Sequence, residues 1–219
     1  MSNPLQEIQI VKPADIESKS FEIIASELGD CALDPVCAPI IKRCIHTSAD
    51  FDYAQNLVFS EGVVPHAVQA LQNGVSIITD TNMAKAGINK RVLARFGGEV
   101  LNFMANADVA TEAKERGITR AAVCMERGAA LGKPLIYAVG NAPTALIRLY
   151  EMLEEGTMIT PALIVGVPVG FVNVVESKEL IISRTDVPYI VARGRKGGSN
   201  IAACICNALL YLASNNERA

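Results

Sequence analysis

Tryptophan is absent from this 219-residue chain, and phenylalanine and tyrosine bring the aromatic content to only 5%. A core must therefore be built from Val, Ile, Leu and Ala, and half of the residues are apolar, enough for a sizeable one. Charge of one sign is not in excess: the net charge is −3 and the pI about 5.5. That balance gives no support to nucleic-acid binding, and the apolar content excludes intrinsic disorder. No apolar run approaches the roughly 20 residues of a membrane span, because stretches such as Ala162 to Val175 contain Gly and Pro. The first residues, MSNPLQEIQIVKPAD, carry neither a basic stretch nor a long apolar run, so no secretory leader is read there. Six cysteines include no CxxC pair, and Cys204-Ile-Cys206 is not a zinc spacing. They are expected to be reduced and mostly buried, as in a cytoplasmic protein. The expectation is a cytoplasmic chain with no membrane and no nucleic-acid partner.

What is present is alternation. Short β-branched runs at Val75–Thr79, Glu99–Phe103, Pro134–Val139, Ala162–Val167 and Pro188–Arg193 read as strands. Between them lie amphipathic stretches, including His66–Leu71, Val109–Glu115, Pro143–Glu155 and a final helix Asn200–Ala213. This order predicts a Rossmann-like α/β fold: a mostly parallel open sheet flanked by helices. The first seventy residues read as mainly helical, with segments at Phe21–Leu28 and Pro35–His46. The expected organisation is one domain over 1–219, with a helical part at 1–70 and an α/β core at 71–213.

Open parallel sheets bind ligands beyond the carboxyl ends of their strands. Here that rule collects Asp80-Thr81-Asn82, Gly140-Asn141-Ala142, Pro168-Val169-Gly170 and Arg193 to Ser199. Taken singly, each loop needs Gly or Pro simply to turn. Together, with N–H groups at helix starts, they point to an anionic ligand. The loop Gly194-Arg195-Lys196-Gly197-Gly198-Ser199 is not a Walker loop, GxGxxG is missing, and so is GxSxG. Only two histidines occur. His66 follows Pro65 at a helix start and reads as a surface or capping residue. His46 leaves an apolar helix beside Thr47, Ser48 and Asp50 and suits an acid, a base or a structural role. On pattern alone the structural role stands ahead. No second His or paired Cys lies at metal-ligand spacing, so no metal site is expected.

The segments Ile45–Asp52, Thr79–Met83, Gly140–Leu146, Gly166–Val172, Glu176–Lys178 and Val191–Ser199 resemble, in this order, those of the precorrin-8X methylmutases. The resemblance implies an isomerase that moves a methyl group from C-11 to C-12 of precorrin-8, or its cobalt form, giving hydrogenobyrinate or cobyrinate in cobalamin synthesis. It implies no cofactor: no S-adenosylmethionine is consumed, and any cobalt belongs to the substrate. It also implies a homodimer, with adjacent cobalamin-pathway enzymes as further partners, and the histidine matching His46 as the acid.

The substrate is a flat tetrapyrrole rimmed by carboxylates. Met83, Val169 and Phe171 are expected to wall its body. Arg120, Arg193, Arg195 and Lys196 are expected to meet its rim, Arg being the better bidentate partner. Backbone donors are expected from Asn141, Ala142, Gly197, Gly198 and Ser199, with Thr47, Asp80, Thr81 and Gly170 completing the binding set. Two other readings share the fold: a nucleotide- or S-adenosylmethionine-dependent transferase, which lacks its fingerprint here, and a non-catalytic tetrapyrrole carrier, which would tolerate loss of His46.

Overall fold

The computed structural model describes residues 10–217, so expectations for residues 1–9, 218 and 219 lie outside the described residues. A first unit ends at Ala32 and contains a short 3-10 turn, Pro13–Asp15, and helix α1, Ile16–Leu28. Gly29, at φ 52°, stops that helix.

The second unit, from Leu33 on, contains a six-stranded sheet. Its strands are β1 (Leu57–Phe59), β2 (Ile77–Thr79), β3 (Val100–Leu101), β4 (Ile136–Val139), β5 (Leu163–Gly166) and β6 (Tyr189–Ala192). They lie in the order β1-β6-β5-β4-β2-β3. All neighbours are parallel except β1, which runs antiparallel to β6 with Leu57 opposite Ala192. Parallel strands covered on both faces read as continuous apolar runs. Accordingly β2, β4 and β5 are buried at every position.

The helices are α2 (Ala38–Ser48), α3 (Tyr53–Asn56), α4 (Val63–Gln72), α5 (Asn82–Gly87), α6 (Lys90–Arg95), α7 (Ala107–Arg116), α8 (Arg120–Ala129), α9 (Pro143–Glu154), α10 (Val174–Ile182) and α11 (Ser199–Ala213). On one side α11 packs against the sheet and is surrounded by α2, α4, α5 and α6; α7 to α10 pack successively on one another as a second group. α11 is the central helix, burying Ile201, Ile205, Leu209 and Leu210. Each such side chain contributes about 1.5–3 kcal/mol. The other core gathers Ile78, Tyr137, Ile164 and Val191 from the sheet with Met125, Leu146, Leu149 and Ile181 from α8, α9 and α10.

The mostly parallel open sheet between helices is the expected fold. The five anticipated strands are present, and β1 is an addition inside the stretch read as helical. α3 lies within the stretch read as mainly helical, whereas α5, α6, α8 and α10 are additions to the sequence reading. Local capping explains two of them: Thr81 accepts from Ala84 N at the start of α5, and Asn89 from Val92 N at the start of α6. Each cap is worth about 1 kcal/mol.

Candidate active site

The strand order reverses between β2 and β4, because the chain leaves β2 outward to β3 and then crosses back. Such a reversal opens a crevice at the carboxyl ends of the strands. In this chain the crevice is closed by Asp80, the residue after β2, which is 1% exposed. Its Oδ1 accepts from Gly140 N at 2.8 Å, and its Oδ2 from Asn141 N at 2.8 Å and Ala142 N at 2.7 Å. Burial lifts this carboxyl above its ordinary range, outweighing the three N–H donors that favour the anion. Beside it, Thr81 Oγ1 lies 2.8 Å from Ser199 Oγ at the start of α11. Gly140 has no alternative, since a Cβ there would meet Ser199 Cα at 2.7 Å. The turns after β4 and β6 are thus packed backbone against backbone, and the turn after β2 is tied to both through the Asp80 and Thr81 side chains.

The β6–α11 turn is the hub of this edge. Gly198 N donates to Val167 O at 2.9 Å, and Gly170 N to Arg195 O at 3.3 Å. A Cβ on Gly197 would lie 2.1 Å from Val167 O, so only glycine fits there. From below, the fully buried Lys178 of α10 donates from Nζ to Gly194 O at 2.7 Å and Lys196 O at 2.8 Å. Burial pushes its ammonium down to about 8. Above, the Arg195 guanidinium sits 5.4 Å from the centre of the Phe171 ring. Phe171 is 81% exposed and Met83 70%; Val169 is also exposed.

His46 arrives from the other end of the chain. Thr47 Oγ1 donates to Cys204 Sγ at 3.2 Å, and the Arg43 guanidinium lies 5.1 Å over the Tyr211 ring. These pairings run α2 antiparallel to α11, bringing His46, exposed on the last turn of α2, to the first turns of α11. Ala49, in the left-handed conformation at φ 54°, ends the helix. The chain then presents Asp50 and Asp52 to Lys196 Nζ at 2.7 and 2.5 Å. The Cys44 thiol hydrogen-bonds with Cys204, which holds the Cys204 thiol down to about 7 and Cys44 above the usual range.

The precorrin-8X methylmutase family model matches residues 15–212. The chain belongs to this family. It is 44% identical over 208 residues to the cobalt-precorrin-8 methylmutase of Salmonella typhimurium, covering 92% of this chain and 96% of that protein. It is 38% identical over 205 residues to that of Priestia megaterium, covering 94% and 90%. The solved precorrin-8x methyl mutase of Thermus thermophilus superposes with a TM-score of 0.82 at 37% identity, covering 92% of this chain and 98% of that one.

Within this methylmutase fold, the loops expected to form the site do converge, and His46 joins them. Several side chains are committed differently from the sequence reading. Asp80 is turned inward and offers its oxygens to the fold, not to a ligand. The Asn141 and Ala142 N–H groups are consumed by Asp80, leaving the exposed Asn141 side chain as what this turn can present. The Thr47 hydroxyl is spent on Cys204. Arg193 Nε is paired with Glu179 at 2.9 Å, and Lys196 with Asp50 and Asp52, so neither is an uncommitted cation. Gly198 N is spent on Val167 O, and the Ser199 hydroxyl faces Thr81. Met83, Val169, Gly170, Phe171, Arg195 and Gly197 remain at the open edge. Arg120, exposed, follows Thr119, whose Oγ1 lies 2.7 Å from Thr144 Oγ1 on the first turn of α9.

Lys178 and the Cys44–Cys204 contact were not singled out in the sequence. Both are legible only once α10 and α11 are placed. Two cavities of about 590 Å³ each are present, the first opening beside Thr119 and Thr144 next to Arg120. This cavity follows the α8–α9 groove past Arg116, Arg148, Glu126 and Glu151, two cations and two carboxylates that pair with one another. The other lies by His66, Val75, Pro134 and Pro188 at the opposite edge of the sheet. Among the described residues no group of three or more His, Cys, Asp or Glu is arranged to hold a metal, and no helix is long and apolar enough to cross a membrane.

Proposed function

We propose that this chain is a methylmutase of cobalamin biosynthesis, isomerising precorrin-8 or its cobalt form by moving the ring-C methyl from C-11 to C-12. The observation that carries this reading is family membership over residues 15–212, joined to a histidine held at the loop-bearing edge of the sheet. The methyl leaves one ring carbon and bonds its neighbour within the same molecule, so no methyl donor, S-adenosylmethionine or resident metal is consumed. Any cobalt is part of the substrate.

His46 acts as the acid: a proton on, or hydrogen-bonded to, the conjugated macrocycle stabilises the charge that develops as the methyl moves. Met83, Val169 and Phe171 offer apolar surface to the flat ring system, and Arg120 and Arg195 offer cations to its carboxylates. The working form is a cytoplasmic homodimer, with neighbouring enzymes of the pathway passing substrate in and product out.

The test follows the visible spectrum of cobalt-precorrin-8 mixed with wild type or His46→Ala. Conversion to the corrin chromophore by wild type, slowed about a hundredfold or more in the variant, is the expected result. Equal conversion by both removes His46 from the chemistry. Binding without conversion by wild type replaces the isomerase with a carrier.

A further inference from the structure

We propose that Lys178 is a positioning residue for the substrate's carboxylate rim, holding two peptide units of the Gly194–Gly198 turn so that the Arg195 and Gly197 N–H groups face outward beside the Arg195 guanidinium. The inference rests on the proposed methylmutase reading for the identity of the ligand, not for the arrangement of the loop.

Lys178 is fully buried, and no carboxylate pairs with it among the described residues. Burying an ammonium is costly, and here two carbonyls, of Gly194 and Lys196, accept its hydrogen bonds. In a planar trans peptide the C=O of one residue and the N–H of the next point opposite ways. Carbonyls turned down onto Lys178 therefore turn the N–H groups of Arg195 and Gly197 away from it. Neither N–H has a backbone acceptor among the described residues, whereas Gly198 N is bound to Val167 O. The charge also polarises both peptide units, strengthening their N–H groups as donors. Two such donors one residue apart, next to a guanidinium, form a concavity suited to a carboxylate.

Burial brings the Lys178 ammonium down to about 8, so its charge, and with it the polarisation of the two peptide units, is lost above that pH. The other charged groups around the turn are the Arg193–Glu179 pair, Lys196 with Asp50 and Asp52, and Arg195. Cys204, held down to about 7, lies on α11 beyond the turn and is removed from the titration by working in a Cys204→Ser background.

The experiment has two readouts. Carbonyl carbon-13 shifts of Gly194 and Lys196 are followed from about pH 6.5 to 9.5, bracketing the Lys178 midpoint. Both are expected to move together with a midpoint near 8 and to stay flat in Lys178→Met. Turnover of cobalt-precorrin-8 is then measured. KM is expected to rise about tenfold in Lys178→Met, the loss of one charge-assisted contact, with kcat changed less than about threefold. Lys178→Arg should restore most of the KM. Carbonyl shifts that ignore pH, or an unchanged KM in Lys178→Met, overturn the proposal. If Lys178→Met does not fold, the wild-type carbonyl titration and the rise of wild-type KM through pH 8 decide it alone. If wild type does not turn over the substrate, the proposed function fails, while the carbonyl titration still judges the role of Lys178 in the loop.

Discussion

Two turns at the carboxyl edge of the sheet, Gly140–Ala142 and Gly194–Gly198, look alike in sequence. Each follows a buried parallel strand, opens on glycine and leads into a long helix. What lies beneath them is opposite. Asp80 takes three N–H groups of the first turn, so the Gly140 and Asn141 carbonyls face away from it. Lys178 takes two carbonyls of the second, so that turn faces outward with donors. At this edge one turn presents carbonyl acceptors and the other N–H donors. The chemistry of a glycine-rich turn is thus written by the buried charge under it more than by its own residues. In both cases burial pushes the charge towards its neutral form, raising Asp80 and lowering Lys178.

The comparison breaks most readily at the first turn. Asp80→Asn swaps an acceptor oxygen for a donor facing N–H groups and is expected to lower unfolding free energy by about 3 kcal/mol, read by urea denaturation. A loss under about 1 kcal/mol would mean that water or backbone rearrangement replaces the carboxylate, and the contrast between the turns would dissolve. At the second turn, Gly197→Ala drives a Cβ into Val167 O. A loss of about 1–3 kcal/mol is expected, with substrate binding weakened more than in proportion because the turn is displaced. Wild-type affinity in this variant would show that the turn does not meet substrate. The smallest effect is expected from Lys196→Ala, which releases Asp50 and Asp52 at the protein surface. Thermal stability should be unchanged, while KM should rise slightly at low salt and converge on wild type at high salt, since exposed pairs are screened. An effect on KM that salt does not alter would show that Lys196 touches substrate directly.

Much of the fold was legible because β2, β4 and β5 are buried at every position, and β6 at all but its first, so that they announce themselves as apolar, largely β-branched runs. β1 did not. Leu57-Val58-Phe59 is three residues long, sits directly after a helical turn, and is a strand because β6 offers it a partner. The gathering of loops at one edge was equally legible, as it follows from strand direction alone. The assignment of roles within them was not. Arg193 and Lys196 look like free cations until Glu179, Asp50 and Asp52 are placed beside them, and Lys196 lies 146 residues from Asp50. Lys178 enters the sequence reading only as the end of the Glu176–Lys178 segment, with no role of its own, yet it is buried completely beneath the Gly194–Gly198 turn. Asp80 follows a strand, as a ligand-binding residue would, and turns inward instead. Sequence order gives strands and their ends; the direction of a polar side chain there depends on partners the chain brings from far away.

The antiparallel pairing of β1 with β6 carries a consequence for biogenesis. The segment bearing His46 and β1 emerges early from a ribosome, but its partners, β6, Lys196 and Cys204, emerge well over a hundred residues later. Until then the free edge of the growing sheet has no cover, and His46 has nothing to stand beside. Such a separation between contacting segments slows folding and leaves a nascent chain exposed to mispairing. Assembly of this edge is therefore a late event of synthesis, completed when the last strand reaches β1 and the last helix reaches α2.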